Sequence, residues 1–378
     1  MNNIHRLSAL AVVCSVLFFA SCTKNQDMSA RQETAGTRLA ANLETLATGP
    51  YSNGFFLINE GWFSHGTGEV NFYSYATGLL SDSIFGHANP TKNLNPITST
   101  LEFGTVFNGN LYLVSKVGGP LVVTDQNTLI ESNRIAASTS RDWRAFVGID
   151  STHGLVSAQT GLFPLALPAL TVGTAIPGVT GQIGDLILSG NNVYALSQTA
   201  GVVIINASTH AIVKKIAGMT VAFARTSDGT VWAAGGTRLL KINPSTLDTA
   251  TVALPFTVNN QWAAWHPGSI TASTSENAVF IANNGTETGA TAIYKYIVGT
   301  PSSLSTPFIN IATGKETYGA GIAYDASADH LVVTTVKSGF GQNYSTNDLD
   351  IYNAGTGALI SDLGYTGFWF PAIPVFHH

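Results

Sequence analysis

The chain ends in FWFPAIPVF (Phe368–Phe376), an apolar run with no further repeat behind it. Near its start stands SNGFFLINEG (Ser52–Gly61), a turn and a strand with no convincing strand in front. Each stretch lacks what the other has. Pairing the tail with the head supplies the missing innermost strand of the first unit and closes the chain into a ring. Pro371 and Pro374 fit this role, because an innermost strand has one unpaired edge and proline, which lacks a donor, is tolerated there.

Between these ends a small polar turn followed by an apolar strand recurs: NGNLYLVS at Asn108, STHGLVSA at Ser151, SGNNVYAL at Ser189, SDGTVWAA at Ser227, SENAVFIA at Ser275 and SADHLVVT at Ser327. The turns carry Gly, Asn, Asp and Ser, which tolerate positive φ or bond their own backbone in tight hairpins. The copies lie about 38 to 52 residues apart, the length of a four-stranded propeller blade. A second marker follows most of these turns: VTDQNTL, INASTH, INPSTL and YNAGTG, with YSYATG at Tyr73 as a further copy. Here Asp125, Asn206, Asn243 and Asn353 end a third strand, and Thr128, Thr209, Thr246 and Thr356 stand in the turn to a fourth. The expected fold is all-β: a seven-bladed β-propeller of four-stranded antiparallel blades, closed by the C-terminal strand joining the N-terminal blade. The long GHANPTKNLNPITST connection leaves six or eight blades open as alternatives.

The first 21 residues read as an export signal, with Arg6 ahead of a short apolar run from Leu7 to Phe19, too short to span a bilayer. FASC (Phe19–Cys22) is similar to a lipobox, which makes Cys22 the expected site of lipidation; a plain signal cut after Ser21 is the alternative. Of the two cysteines, Cys14 lies within the segment to be removed, so the mature chain has a single thiol and no internal disulfide. Residues 22–50 are then an acylated cysteine and a polar, flexible tether, and residues 51–378 the propeller. The expected setting is the outer membrane, exposed at the cell surface or facing the periplasm. With 17 basic and 22 acidic residues the formal net charge is −5, and losing Arg6 takes it to −6. No basic patch is available for phosphates, which argues against nucleic acid.

On one face of such a ring lie the loops from outermost to next innermost strand and those between second and third strands. The first kind includes STSRDWRAF with Arg141 and Trp143, VNNQWAAWHPGS with Gln261, Trp262, Trp265 and His266, GKETYGAG with Tyr318, and GYTGFWFP with Trp369. The second kind adds NEGWFSHG with Glu60 and Trp62, the pair Asn283 and Asn284, and KSGFGQNY with Lys337 and Tyr344. A single aromatic here is ordinarily blade packing. Aromatics mixed with Arg, Lys, Asn, His and Gln on one face instead suit a pocket for a flat or large organic ligand.

The repeat pattern resembles the YncE-like seven-bladed propellers, and GFFLINEG followed by FYSYATG is similar to a family of exported bacterial propeller lipoproteins. Members of that family include surface proteins that capture cobalamin and hand it to an outer-membrane transporter. The resemblance implies a non-catalytic, membrane-anchored binding protein with a small organic ligand and a transporter as partner, but it carries over no ligand-contacting residue. HExxH, GxSxG and CxxC are absent from the sequence, and TGK at Thr313 lacks the glycine spacing of a phosphate loop. No catalytic residue, metal ligand or cofactor is assigned. Asp348 and Asp350 in NDLDIYN read as a solvated strand end rather than a calcium site. His65, His87 and His266 are the histidines that could meet at the channel mouth. A propeller lyase or hydrolase, and a protein-interaction scaffold, are the competing classes.

Overall fold

The computed structural model describes residues 49–259, 268–339 and 342–377. Its strands form seven antiparallel sheets. The first has the order Pro371–Phe376, Gly54–Asn59, Glu69–Ser74, Leu79–Ser81, so the C-terminal strand is the inner edge of the N-terminal blade. Phe56 pairs with Val375, Leu57 with Pro374 and Asn59 with Pro371. The remaining inner strands are Thr100–Phe107, Trp143–Asp150, Ile183–Ser189, Ala222–Arg225, Ile270–Ala272 and Lys315–Asp325, for blades 2 to 7.

Blade 5 compresses its middle. The run Val231–Ile242 does the work of two strands: Val231 to Ala234 pair with the inner strand, and Arg238 to Ile242 pair with the outer one. Gly235 and Gly236 stand at the change, Gly236 with φ of 58°.

The third-to-fourth-strand turns form as their sequence dictates. Asp125 Oδ1 accepts from the N–H groups of Asn127 and Thr128 and from the Thr128 hydroxyl, and Asn206 and Asn353 repeat the pattern. Asn243 accepts the corresponding two N–H groups. Four residues after each, Leu129, His210, Leu247 and Gly357 take φ of 57°, 58°, 60° and 73° and donate back to the Asp or Asn carbonyl. The side-chain acceptor satisfies the donors of a turn tight enough to force left-handed backbone.

Apolar side chains alternate along the strands and fill the wedges between blades. Separate clusters occupy the wedge between blades 1 and 2 around Phe56 and Leu113, and those from 2 to 4 around Trp143 and Leu155. Others lie between 4 and 5, 5 and 6, and 6 and 7. The last wedge, between blades 7 and 1, holds Phe55, Tyr73, Val332, Leu349, Ile351 and Phe376. Every blade is thus glued on both faces. The long first connection packs down: a short helix, Ile84–Ala88, buries Ile84 and Phe85, and the Asn89 amide donates to the carbonyls of Phe85 and Leu129.

Two phenols latch the closing seam. Tyr365 of blade 7 donates to Asn59 Oδ1 of blade 1 at 3.2 Å, and Tyr75 of blade 1 donates to Asp325 Oδ2 of blade 7 at 2.6 Å. Gly319, at φ of 57°, lies so close to the closing strand that a Cβ would stand 2.8 Å from the Ala372 carbonyl oxygen. Phe376 is 7% exposed and sits in the seam core. Phe376→Ala should lower unfolding stability by about 3–5 kcal/mol in urea titration, and removing Pro371 to His377 should abolish the cooperative transition altogether.

Candidate functional site

The mouth face carries the loops between second and third strands and the outer-to-inner connections; the base face carries the hairpins and the turns just described. At the seam, the mouth face gathers an aromatic row. His65 stacks on Trp62 with ring centroids 3.7 Å apart and planes within 11°, and Trp62 meets Trp369 at 4.3 Å. Trp369 is followed by Phe370 at 5.8 Å, and Phe370 contacts Tyr318 at 5.0 Å and Tyr344 at 5.3 Å. The stacking of His65 is built locally, since the N–H groups of His65 and Gly66 both donate to the Trp62 carbonyl and bring residue 65 round over residue 62.

Backbone bonds lace the row across the seam: Glu60 N–H donates to the Phe370 carbonyl, Gly61 N–H to that of Trp369, and Phe370 N–H to that of Tyr344. Phe370 is held at φ of 63°. Left-handed backbone costs a residue with a Cβ about 1–2 kcal/mol, and such strain gathers where side chains are aimed for a purpose. Trp62, Trp369 and Phe370 are half-buried and His65 is exposed, so the row has an open flank. Phe63 and Ile97, exposed at 46% and 49%, extend the apolar surface beside it.

Beneath the row lies a polar floor. Tyr318, 4% exposed, bonds to Glu60, and burial together with the nearby Glu60 and Glu102 carboxylates holds its hydroxyl well above the usual phenol range, so it stays a donor. Lys116 Nζ lies 2.7 Å from Glu102 Oε2 in a pair that is almost wholly buried. Bulges in the inner strands of blades 2, 3 and 4 contain Glu102, Arg144 and Asp185. Asp185 accepts from the N–H groups of Phe223 and Leu186; burial pushes its carboxyl up to about 6 against those bonds, although part of its surface stays open.

Of the residues expected at the mouth, Glu60, Trp62, Tyr318, Tyr344 and Trp369 come together in this cluster. Gln261, Trp262, Trp265 and His266 lie outside the described residues, as does Cys22. Lys337 is exposed at the end of the second strand of blade 7. Asn283 and Asn284 are engaged within the fold. Asn283 Oδ1 accepts from Ala292 N–H, and Asn284 donates to the Ser269 hydroxyl and accepts from that of Thr317, tying blade 6 to blade 7.

Trp143 is a packing residue: it is 1% exposed, edge-on to Phe163 at 6.0 Å, and belongs to the largest wedge cluster, with the Arg141 guanidinium 5.5 Å over its ring. Position at a blade start does not distinguish a mouth aromatic from a wedge; the direction of the strand's first Cβ does. Phe370, Glu102 and Lys116 were missed by sequence reasoning. A lone Glu inside an inner strand (STLEFGTVF) and a Lys closing NLYLVSK were the available signals. Among the described residues, no group of three or more His, Cys, Asp or Glu is placed to hold a metal ion.

Asp350 is not at a solvated strand end. It is 3% exposed, opposite Asp362 and on the same strand face as Asp348, with Lys315 Nζ 3.0 Å from Asp348. Burial pushes the Asp350 carboxyl up to about 7; Lys315 pulls against this, and Asp362 and Asp348 add to it. The folded chain therefore keeps a proton that an unfolded Asp releases near pH ~4, so stability falls as pH rises between those values and levels off above. Asp350→Asn should flatten the decline of melting temperature between pH 5 and 8, and should exceed the parent protein most at pH 8.

A second test separates packing from mouth aromatics. Trp143→Ala should cost about 3–5 kcal/mol of stability, whereas Trp62→Ala, at a half-buried site, should change the melting temperature far less in the same calorimetric scan.

The geometry defines a closed β-propeller with an aromatic-lined, polar-floored mouth at its seam. Residues 53–377 match a family described as a domain of unknown function, DUF5074, and the chain belongs to that family. No curated protein matches the chain. Among solved structures, it is similar to a quinonprotein alcohol dehydrogenase-like protein of Bacteroides thetaiotaomicron, at 19% identity and a TM-score of 0.68, over 86% of this chain and 78% of that one. It is also similar to the dihydro-heme d1 dehydrogenase NirN, at 10% identity and 0.53, over 83% and 73%. A computationally designed protein, Ika8, matches at 12% and 0.51, over 83% and 88%. At these identities the likeness is one of fold.

Proposed function

We propose that the protein is a non-catalytic binding propeller that takes up a flat or large organic ligand, with a corrinoid as the leading candidate, at the seam-side mouth. It does so as an outer-membrane lipoprotein anchored through Cys22, working beside a transporter. The observation that carries this reading is the half-open row His65, Trp62 and Trp369 above the buried Glu60 and Tyr318. Stacked rings with one open flank offer apolar area at little entropic cost, and the hydroxyl and carboxylate below supply the few oriented polar groups that such a pocket needs.

Chain entry supports the same arrangement. Tyr51 N–H donates to the Asn127 carbonyl in a base-face turn, so the described chain enters the ring on the side opposite the mouth. A lipid at Cys22, with chain reaching at most about 3.5 Å per residue, then leaves the mouth free to face away from its own membrane anchor. Phe63 and Ile97 beside the row give a protein partner an apolar contact.

Calorimetric titration with cobalamin, cobinamide and haem tests the reading. At least one should bind, and Trp62→Ala with Trp369→Ala should weaken it tenfold or more while the fold persists. Absence of binding by all three, or binding indifferent to both substitutions, refutes it.

A further inference from the structure

A second cleft lies away from the mouth. It lies on the base face, between blades 7 and 1, with a volume of about 620 Å³, well within the range of small-molecule sites. One wall is aromatic: Tyr73, 9% exposed and stacked on Phe55 at 4.9 Å, and the half-buried Tyr75 stand 6.1 Å apart with their planes at 78°, forming a corner in which Tyr75 is the more open ring. The other features are polar and short. Asp325 is 1% exposed, and its carboxylate accepts from Ser327 N–H at 2.9 Å, from the Ser327 hydroxyl and from Tyr75 at 2.6 Å. Burial and the Asp325 bond raise the Tyr75 hydroxyl above its ordinary range, which keeps it a neutral donor. Asn53, exposed, and His330, half-buried, line the opening.

We propose that this groove is a second binding site, for a short neutral oligosaccharide. No lysine or arginine lines it, so it offers a phosphate or carboxylate ligand no permanent positive charge. Its one carboxylate, Asp325, already accepts three hydrogen bonds from the fold, which orient it and leave it no counter-ion awaiting a cation. A corner of two perpendicular rings cannot sandwich a planar aromatic. It does fit a puckered sugar ring, whose C–H face lies against the negative face of a tyrosine while its hydroxyl rim meets groups that both donate and accept. Asn53 and Ser327, both exposed, are such groups and line the same cleft. This site is independent of the mouth: it is on the opposite face and shares none of the residues assigned there.

The test uses the full-length protein in detergent, titrated with maltotriose, cellotriose and xylotriose, and with spermidine and inorganic phosphate as charged probes. One trisaccharide at least should bind, and Asn53→Ala combined with His330→Ala, both outside the Tyr75–Asp325 latch, should weaken it tenfold or more at unchanged melting temperature. Trp62→Ala with Trp369→Ala should leave it unaffected, which separates this site from the mouth. The proposal is overturned if no trisaccharide binds, if a charged probe binds in preference, or if sugar binding survives the groove substitutions but is lost with the mouth ones.

Discussion

The pairing of Pro371–Phe376 with Gly54–Asn59 is the contact on which the ring depends, because it joins segments separated by nearly the whole chain. An open row of blades would leave the last wedge, with Phe55, Tyr73 and Phe376, facing water. Closure buries that wedge and pairs the inner edge of Gly54–Asn59 at once, and each buried aromatic or branched side chain contributes about 1.5–3 kcal/mol. Two prolines in the closing strand cost no ladder bonds, since its other edge faces the channel rather than another strand. The seam is also latched at both ends by phenols, Tyr365 to Asn59 at the mouth and Tyr75 to Asp325 at the base. A hydrogen bond across the joint holds it in register where hydrophobic packing alone would let it slide.

Closure also explains where the sites are. Elsewhere in the ring one chain segment leads directly into the next blade. At the seam, two separate segments must meet: the loop that brings Trp369 and Phe370 into the closing strand, and the loop carrying Trp62 and His65 out of its partner. Their backbones bond to each other, which fixes four rings in one row and holds Phe370 in left-handed geometry. On the base face the same junction leaves the groove walled by Tyr73 and Tyr75. Both candidate sites are thus by-products of a joint made from the two ends of the polypeptide.

The architecture was legible in the sequence because a propeller repeats its punctuation. Asp125, Asn206, Asn243 and Asn353 each mark the same turn, and the hydrogen bonds show why: an acidic or amide side chain there satisfies donors that the tight turn would otherwise leave bare. The tail-to-head closure could be read from the same count, as one strand short at the start and one over at the end. Side-chain direction could not. Trp143 opens an inner strand and Trp369 stands just before one, yet the first turns into the wedge and the second faces the mouth. That choice is made by bulges and by a left-handed residue, neither of which leaves a mark in hydrophobic periodicity.

The buried charges sharpen this point. A strand pattern predicts that Glu102, Lys116 and Asp350 should be exposed or absent, and each is instead almost wholly buried. Desolvating an ion is expensive unless it is partnered, so such residues persist where the surrounding structure holds them in pairs or clusters. Glu102 and Lys116 form such a pair beneath the mouth, while Asp350 lies among Asp348, Asp362 and Lys315 on the far side of blade 7. The first sits beside Glu60 and Tyr318 and shapes the electrostatics of the floor; the second lies within a blade wedge and shifts only stability with pH. Similar residue types in similar strands therefore have different consequences, decided by whether a bulge turns them toward the channel or the regular pleat keeps them between blades.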